Sequence, residues 1–157
     1  MKNIYVRSVF AAFDYVMDHF YPAGLKEFAT KDDTYAVISI QDTHTGGFGF
    51  RFEENLFCKG VLTLYFDDIA GPVEGAVLFS EEQARRIIDF ILDHTDTDTL
   101  LVHCFGGQSR SMAVGAFAAM MLGADETPFL TGAKPNEHVL ATLLKVWEED
   151  DEREEDL

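Results

Sequence analysis

Four short runs rich in β-branched and aliphatic residues, NIYV (3–6), YAVISI (35–40), GVLTLYF (60–66) and TLLVHC (99–104), are interleaved with segments of helical spacing. This alternation constrains the fold more than any other feature. Strands joined through helices pair in parallel, so the pattern predicts an α/β single domain with a mainly parallel central sheet and helices on both faces. Ligands of such sheets bind beyond the carboxyl ends of the strands. Cys104 lies at one of those ends.

The helical segments carry their own signals. Phe10, Phe13, Val16, Met17 and Phe20 follow helical spacing, with Ser8 as a candidate cap and YPAG as the stop. A clearer helix begins at Ser80, where Gln83 completes a capping-box pattern and Ala84, Ile87, Ile88, Ile91 and Leu92 line one face. From Arg110 to Leu122 the residues are apolar or small all round, as expected of a helix packed on several sides. After a loop holding Gly123, Pro128, Gly132 and Pro135, a last helix turns Val139, Leu140, Leu143 and Trp147 to the core. The expected organisation is one domain over residues 1–148 followed by an acidic tail, 149–157, a solvated helix end that frays.

Composition narrows the partners. With 12 basic and 28 acidic residues the chain carries a formal net charge of −16, which argues against nucleic acid. The longest uncharged stretch, after Arg110, is about fourteen residues, too short to span a membrane. Asp14 and Asp18 interrupt the early apolar positions, so the N-terminal segment does not read as a secretory signal. Two cysteines, Cys58 and Cys104, suit a reduced compartment, and a cytoplasmic location is expected. His19, His94 and His138 lack ligand spacing, so no metal site is expected.

The stretch LLVHCFGGQSRSMAV (100–114) takes a strand through a tight loop into a helix. Such a loop points its free N–H groups and the positive end of the helix at whatever sits in the turn, and an anion fits there. Gly106 and Gly107 remove side chains where the backbone must curl, so that amides of Phe105, Gly106, Gly107, Gln108, Ser109 and Arg110 can converge on phosphate-like oxygens. Arg110 would close the ring with a bidentate guanidinium. The same field favours a thiolate at Cys104, as comparable settings lower a cysteine from about 8.5 to roughly 3.5–7.5.

His103, Cys104, Gly107, Arg110 and Ser111 match the HCxxGxxRS signature of the cysteine-dependent protein phosphatases, and the chain resembles the small dual-specificity and bacterial tyrosine phosphatases. The resemblance runs over roughly residues 60–147. LTLYFDD (62–68) resembles the strand that those enzymes place before the loop of the general acid, which makes Asp68 the matching acid and Asp67 its competitor. KPNEHVLATLL (134–144) resembles a helix start that places Asn136 at the border of the pocket.

What the resemblance implies is hydrolysis of a phosphomonoester, on a phosphorylated protein or a small molecule, with phosphotyrosine first and dual specificity open. Cys104 would attack phosphorus, Asp68 would protonate the departing oxygen and then activate water, and Ser111 would stabilise the leaving sulfur. Neither metal nor other cofactor is required, because Arg110 and the loop amides meet the charge on the equatorial oxygens. His103 would orient the loop. A bell-shaped rate profile on the acid side of neutrality is expected. The rival readings are a phosphate-binding module that turns over poorly and another thiolate enzyme, a sulfurtransferase or arsenate reductase. Cys58 reads as an ordinary cysteine, with a resolving partner for oxidised Cys104 as the alternative. His44 borders a strand end and is left out of the site.

Overall fold

Four strands, β1 (Asn3–Ser8), β2 (Tyr35–Gln41), β3 (Cys58–Tyr65) and β4 (Thr99–Cys104), form an all-parallel sheet in the order β1-β4-β2-β3. The computed structural model describes residues 1–21, 32–43, 51–131 and 134–155. The YPAG stop beyond Tyr21, the glycine loop after Thr43 and Gly132 therefore lie outside the described residues.

Strand position explains strand composition. The two inner strands, β2 and β4, are buried at every residue, whereas β3 at one edge alternates buried with more exposed positions. A parallel strand covered on both faces has no solvent side to make polar, so YAVISI and TLLV read as continuous apolar runs.

The helices are α1 (Val9–Phe20), α2 (Glu81–Asp93), α3 (Arg110–Leu122), the single turn α4 (Thr127–Leu130) and α5 (Glu137–Glu155). On one face of the sheet, Ala12, Val16 and Phe20 of α1 pack with Tyr35, Val37 and Leu101. The opposite face presents Ile38, Ile40, Leu62, Leu64, Leu100 and Val102 to α2, α3 and α5. The domain is thus a three-layer α/β structure with helices on both faces, as the strand–helix alternation predicts.

Ser80 and Gln83 make both bonds of the capping box that starts α2. Ala84, Ile87, Ile88 and Ile91 are buried, but Leu92, expected on that face, is half exposed. In α1 the buried residues are Val9, Ala12, Val16 and Phe20, while Phe10 and Phe13 face outward. Phe10 shares its face of the helix with the exposed Asp14 and Asp18, four and eight residues on, while the buried set follows helical spacing on the other side. Helix α3 buries nearly all of its first ten residues, and Gly123 ends it with a left-handed φ of 71°. Val139, Leu143 and Val146 anchor α5, which continues as helix into the acidic segment as far as Glu155. Among the described residues no helix is long and apolar enough to cross a membrane.

Candidate active site

Cys104 ends β4 at the centre of the sheet's carboxyl edge and is 2% exposed. Its chain then turns through Phe105 to Ser109 into α3. Gly107 makes this turn possible. It has φ of 69°, and a Cβ there would stand 2.5 Å from the carbonyl carbon of Arg7 and the nitrogen of Ser8. The loop therefore rests on the end of β1. Gly106 needs no such freedom, since nothing lies within 4 Å of where its Cβ would be. Of the two glycines expected to serve the curl, only Gly107 does so.

Two polar groups meet the sulfur. The Gly107 amide donates to Cys104 Sγ at 3.2 Å, and the hydroxyl of Ser111, fully buried in the first turn of α3, lies 3.0 Å away. Ser111 does not cap the helix. Ser109 occupies the cap position and makes no side-chain cap bond there.

Arg110, 5% exposed, starts α3 with its guanidinium fastened through one nitrogen. Nη1 donates to the carbonyl of Phe66 at 2.8 Å and pairs with Asp42 Oδ1 at 2.8 Å. Nε is buried without a partner among the described residues. A buried N–H left unsatisfied costs about 1–3 kcal/mol, and an anion bound in the turn would relieve that cost.

Behind the sulfur a polar network crosses the sheet on the α1 side. His103 Nε2 lies 2.7 Å from Ser39 Oγ, which accepts from Gln41 Nε2 at 2.8 Å. His103 Nδ1 lies 3.3 Å from the carbonyl of Cys104. Burial above all, opposed by the Cys104 carbonyl contact and aided by the charge of Arg110, brings the His103 pKa down to about 4. The ring is therefore neutral near pH 7, with its proton on Nδ1 toward the carbonyl and the Ser39 hydroxyl donating to Nε2. His103 holds the carbonyl at the start of the loop.

Asp67 and Asp68 part company after β3. Asp67 points inward, accepting from Thr43 Oγ1 at 2.7 Å and from the Val77 amide at 2.7 Å, and so staples the loop that follows. Asp68 is exposed and turns toward the cysteine loop, where Ser109 Oγ donates to its Oδ1 at 2.8 Å. Asn136 Nδ2 reaches the same oxygen at 2.8 Å. A hollow of about 350 Å³ opens beside Asp68, lined also by Ile69, Ser109, Lys134 and Asn136. A larger one of about 440 Å³ lies along β1 against Met112, Leu122 and Phe129 and includes neither Cys104 nor Asp68.

No protein-family profile and no curated protein matches the sequence. Solved structures do match along almost the whole chain. The crystal structure of Tk-PTP in the active form is 19% identical, with 98% of this chain and 93% of that one aligned at a TM-score of 0.50. Human DUSP28 aligns over 96% and 94% at 15% identity and a TM-score of 0.52, and PTPMT1 over 99% and 96% at 13% and 0.52. The chain has the fold of the cysteine-dependent phosphatases.

In this phosphatase fold the expected residues assemble at one loop. Gly107 and Ser111 contact the sulfur of Cys104, Arg110 starts the helix that the loop enters, Asp68 joins them through Ser109, His103 bonds the polar network on the α1 side, and Phe105, Gly106 and Gln108 form the exposed rim. Cys58 does not join them. It sits in the α1-side core at the start of β3, beside Tyr35, whose register partner on β4 is Thr99. Cys104 is five residues further along β4, roughly 16 Å at strand rise, too far for a disulfide. His44 lies outside the described residues. Sequence reasoning missed Asp42, Ser39 and Gln41. The signal for the last two was present, since polar residues alternate at the end of an otherwise apolar strand.

Proposed function

We propose that the chain is a phosphomonoester hydrolase of the tyrosine or dual-specificity type, working through a cysteinyl-phosphate. One observation carries this reading: Cys104 Sγ sits under the Gly107 amide and the Ser111 hydroxyl, next to an arginine whose buried Nε lacks a partner among the described residues. An oxyanion is the ligand that such a group of donors suits.

In the first step the Cys104 thiolate attacks phosphorus while Asp68 gives its proton to the departing oxygen. In the second, Asp68 takes a proton from water as that water attacks the phosphoenzyme, and the Ser111 hydroxyl donates to the sulfur as it leaves. Arg110 and the loop from Phe105 to Ser109 hold the phosphoryl oxygens throughout. The substrate is a phosphorylated protein, phosphotyrosine foremost, or a small phosphomonoester, with the chain in the cytoplasm. A net charge of −16 disfavours nucleic acid and other polyanions.

Hydrolysis of an aryl phosphate with a chelator present tests the proposal. Wild type should turn over, Cys104→Ser should not, and Asp68→Asn should lose roughly 10²-fold or more in rate. Asp67→Asn should instead destabilise the fold, because its carboxylate is committed to Thr43 and Val77. Phosphate binding without any turnover would favour the non-catalytic module. Activity surviving Cys104→Ser would sink the assignment.

A further inference from the structure

An exposed aspartate on a loop ordinarily samples several rotamers and offers either oxygen to solvent. Asp68 does neither. Three separate segments meet at its Oδ1: its own loop after β3, Ser109 of the cysteine loop, and Asn136 at the start of α5, the latter two donating at 2.8 Å each. Asn136 is itself held at several points. Its Nδ2 also donates to the Ile69 carbonyl at 3.1 Å, its side-chain oxygen accepts from the Val139 amide at 3.1 Å, and its backbone N–H donates to the Ser109 carbonyl at 3.1 Å.

A carboxyl oxygen has two in-plane lone pairs, and here hydrogen bonds from Ser109 and Asn136 take up both. A proton on that oxygen would face two donors already aimed at it. The other oxygen, Oδ2, is left to carry the proton. We propose that Ser109 and Asn136 are positioning residues that select Oδ2 of Asp68 as the oxygen that delivers and later recovers the catalytic proton. The inference rests on the reading of Asp68 as the general acid. Because Ser109 belongs to the same loop as Cys104 and Arg110, the clamp also sets that oxygen in register with the bound phosphoryl group.

The proton's path balances. As the S–P bond forms, the P–O bond breaks, its electron pair stays on the departing oxygen, and that oxygen takes the proton from Oδ2. Water then bonds to phosphorus, its proton goes to Oδ2, and the S–P pair returns to sulfur.

The dependence on the leaving group provides the test. Phenyl phosphate needs a proton on its departing oxygen, whereas 2,4-dinitrophenyl phosphate releases a stable anion without one. Asn136→Ser keeps a helix-capping hydroxyl but is too short to reach Asp68, and Ser109→Ala removes the other donor. Each should lower kcat/KM for phenyl phosphate about tenfold and for the dinitrophenyl ester less than about threefold, while Ser109→Thr, which keeps the donor, should lose less on phenyl phosphate than Ser109→Ala. In an Asp68→Asn background neither change should cost anything more. Equal losses on the two esters, or undiminished losses in that background, would overturn the clamp while leaving the phosphatase reading intact. Absence of any turnover dependent on Cys104 would remove both.

Discussion

Arg110 and Asp42 meet at 2.8 Å, Nη1 to Oδ1, and the same nitrogen donates to the carbonyl of Phe66. One end of the guanidinium is thereby spent on the protein, which fixes the direction of the remainder. Asp42 follows β2, the strand beside β4, and so stands on the edge of the sheet from which the cysteine loop leaves. Asp42→Ala should release the guanidinium and lower kcat/KM on aryl phosphates by about tenfold to a hundredfold, the range that misplacement of a binding group costs. Asp42→Asn, which keeps an acceptor oxygen, should lose less. Wild-type kinetics in Asp42→Ala would show that Phe66 alone orients the arginine.

The two glycines of the loop should respond differently to the same substitution. At Gly107 a methyl group would strike the backbone of Arg7 and Ser8 in a left-handed conformation, whereas at Gly106 it would enter open space. Gly107→Ala should lower the stability of the fold by about 2 kcal/mol or displace the loop with loss of turnover. Gly106→Ala should stay within about 0.5 kcal/mol of wild type. Thermal unfolding of the two variants side by side checks this, and equal tolerance would contradict the close contact with β1.

Ser111 offers its hydroxyl to the sulfur from inside the helix, at 3.0 Å and with no exposure to solvent. Its contribution should be greatest when sulfur recovers its charge, in the breakdown of the cysteinyl-phosphate. Ser111→Ala should therefore lower kcat about tenfold or more and produce a burst of released phenol as the intermediate accumulates. A fall in kcat/KM with no burst would place its effect in the first step instead.

Much of this arrangement was legible in the sequence because the signals are local. The capping box at Ser80 is one residue pair three positions apart, and the inner strands betray their burial by lacking a polar face. The cysteine, its glycine and its arginine fall within one turn of chain. What escaped depends on distant segments meeting. Ser39 is 64 residues from the histidine it bonds, and Asp42 meets Arg110 only because β2 and β4 are neighbours. Gly106 and Gly107 are indistinguishable until β1 is set beneath one of them. Asp67 and Asp68 likewise diverge only when Thr43 and Val77 claim the first and Asn136 the second. In α1, Phe10 and Phe13 face outward although apolar, and Asp14 and Asp18, on the face of Phe10, were the signal for that side.

His103 links the loop to the pH dependence of stability. In the unfolded chain it takes up a proton near the ordinary value of about 6.5, but in the folded chain only near about 4, because burial and the nearby Arg110 oppose the charge. Between those two values the unfolded state binds more protons, so stability falls as pH falls through that window. Above it both states are neutral, and below it both are protonated, so the effect levels off. The full window corresponds to about 3 kcal/mol, and the part between about pH 6.5 and 5 to about 2 kcal/mol. His103→Gln keeps an acceptor for Ser39 but cannot titrate. Urea unfolding at about pH 7 and about pH 5 should show wild type losing about 2 kcal/mol more than this variant across the interval. Parallel losses in the two proteins would mean that His103 is not the group whose protonation the fold resists.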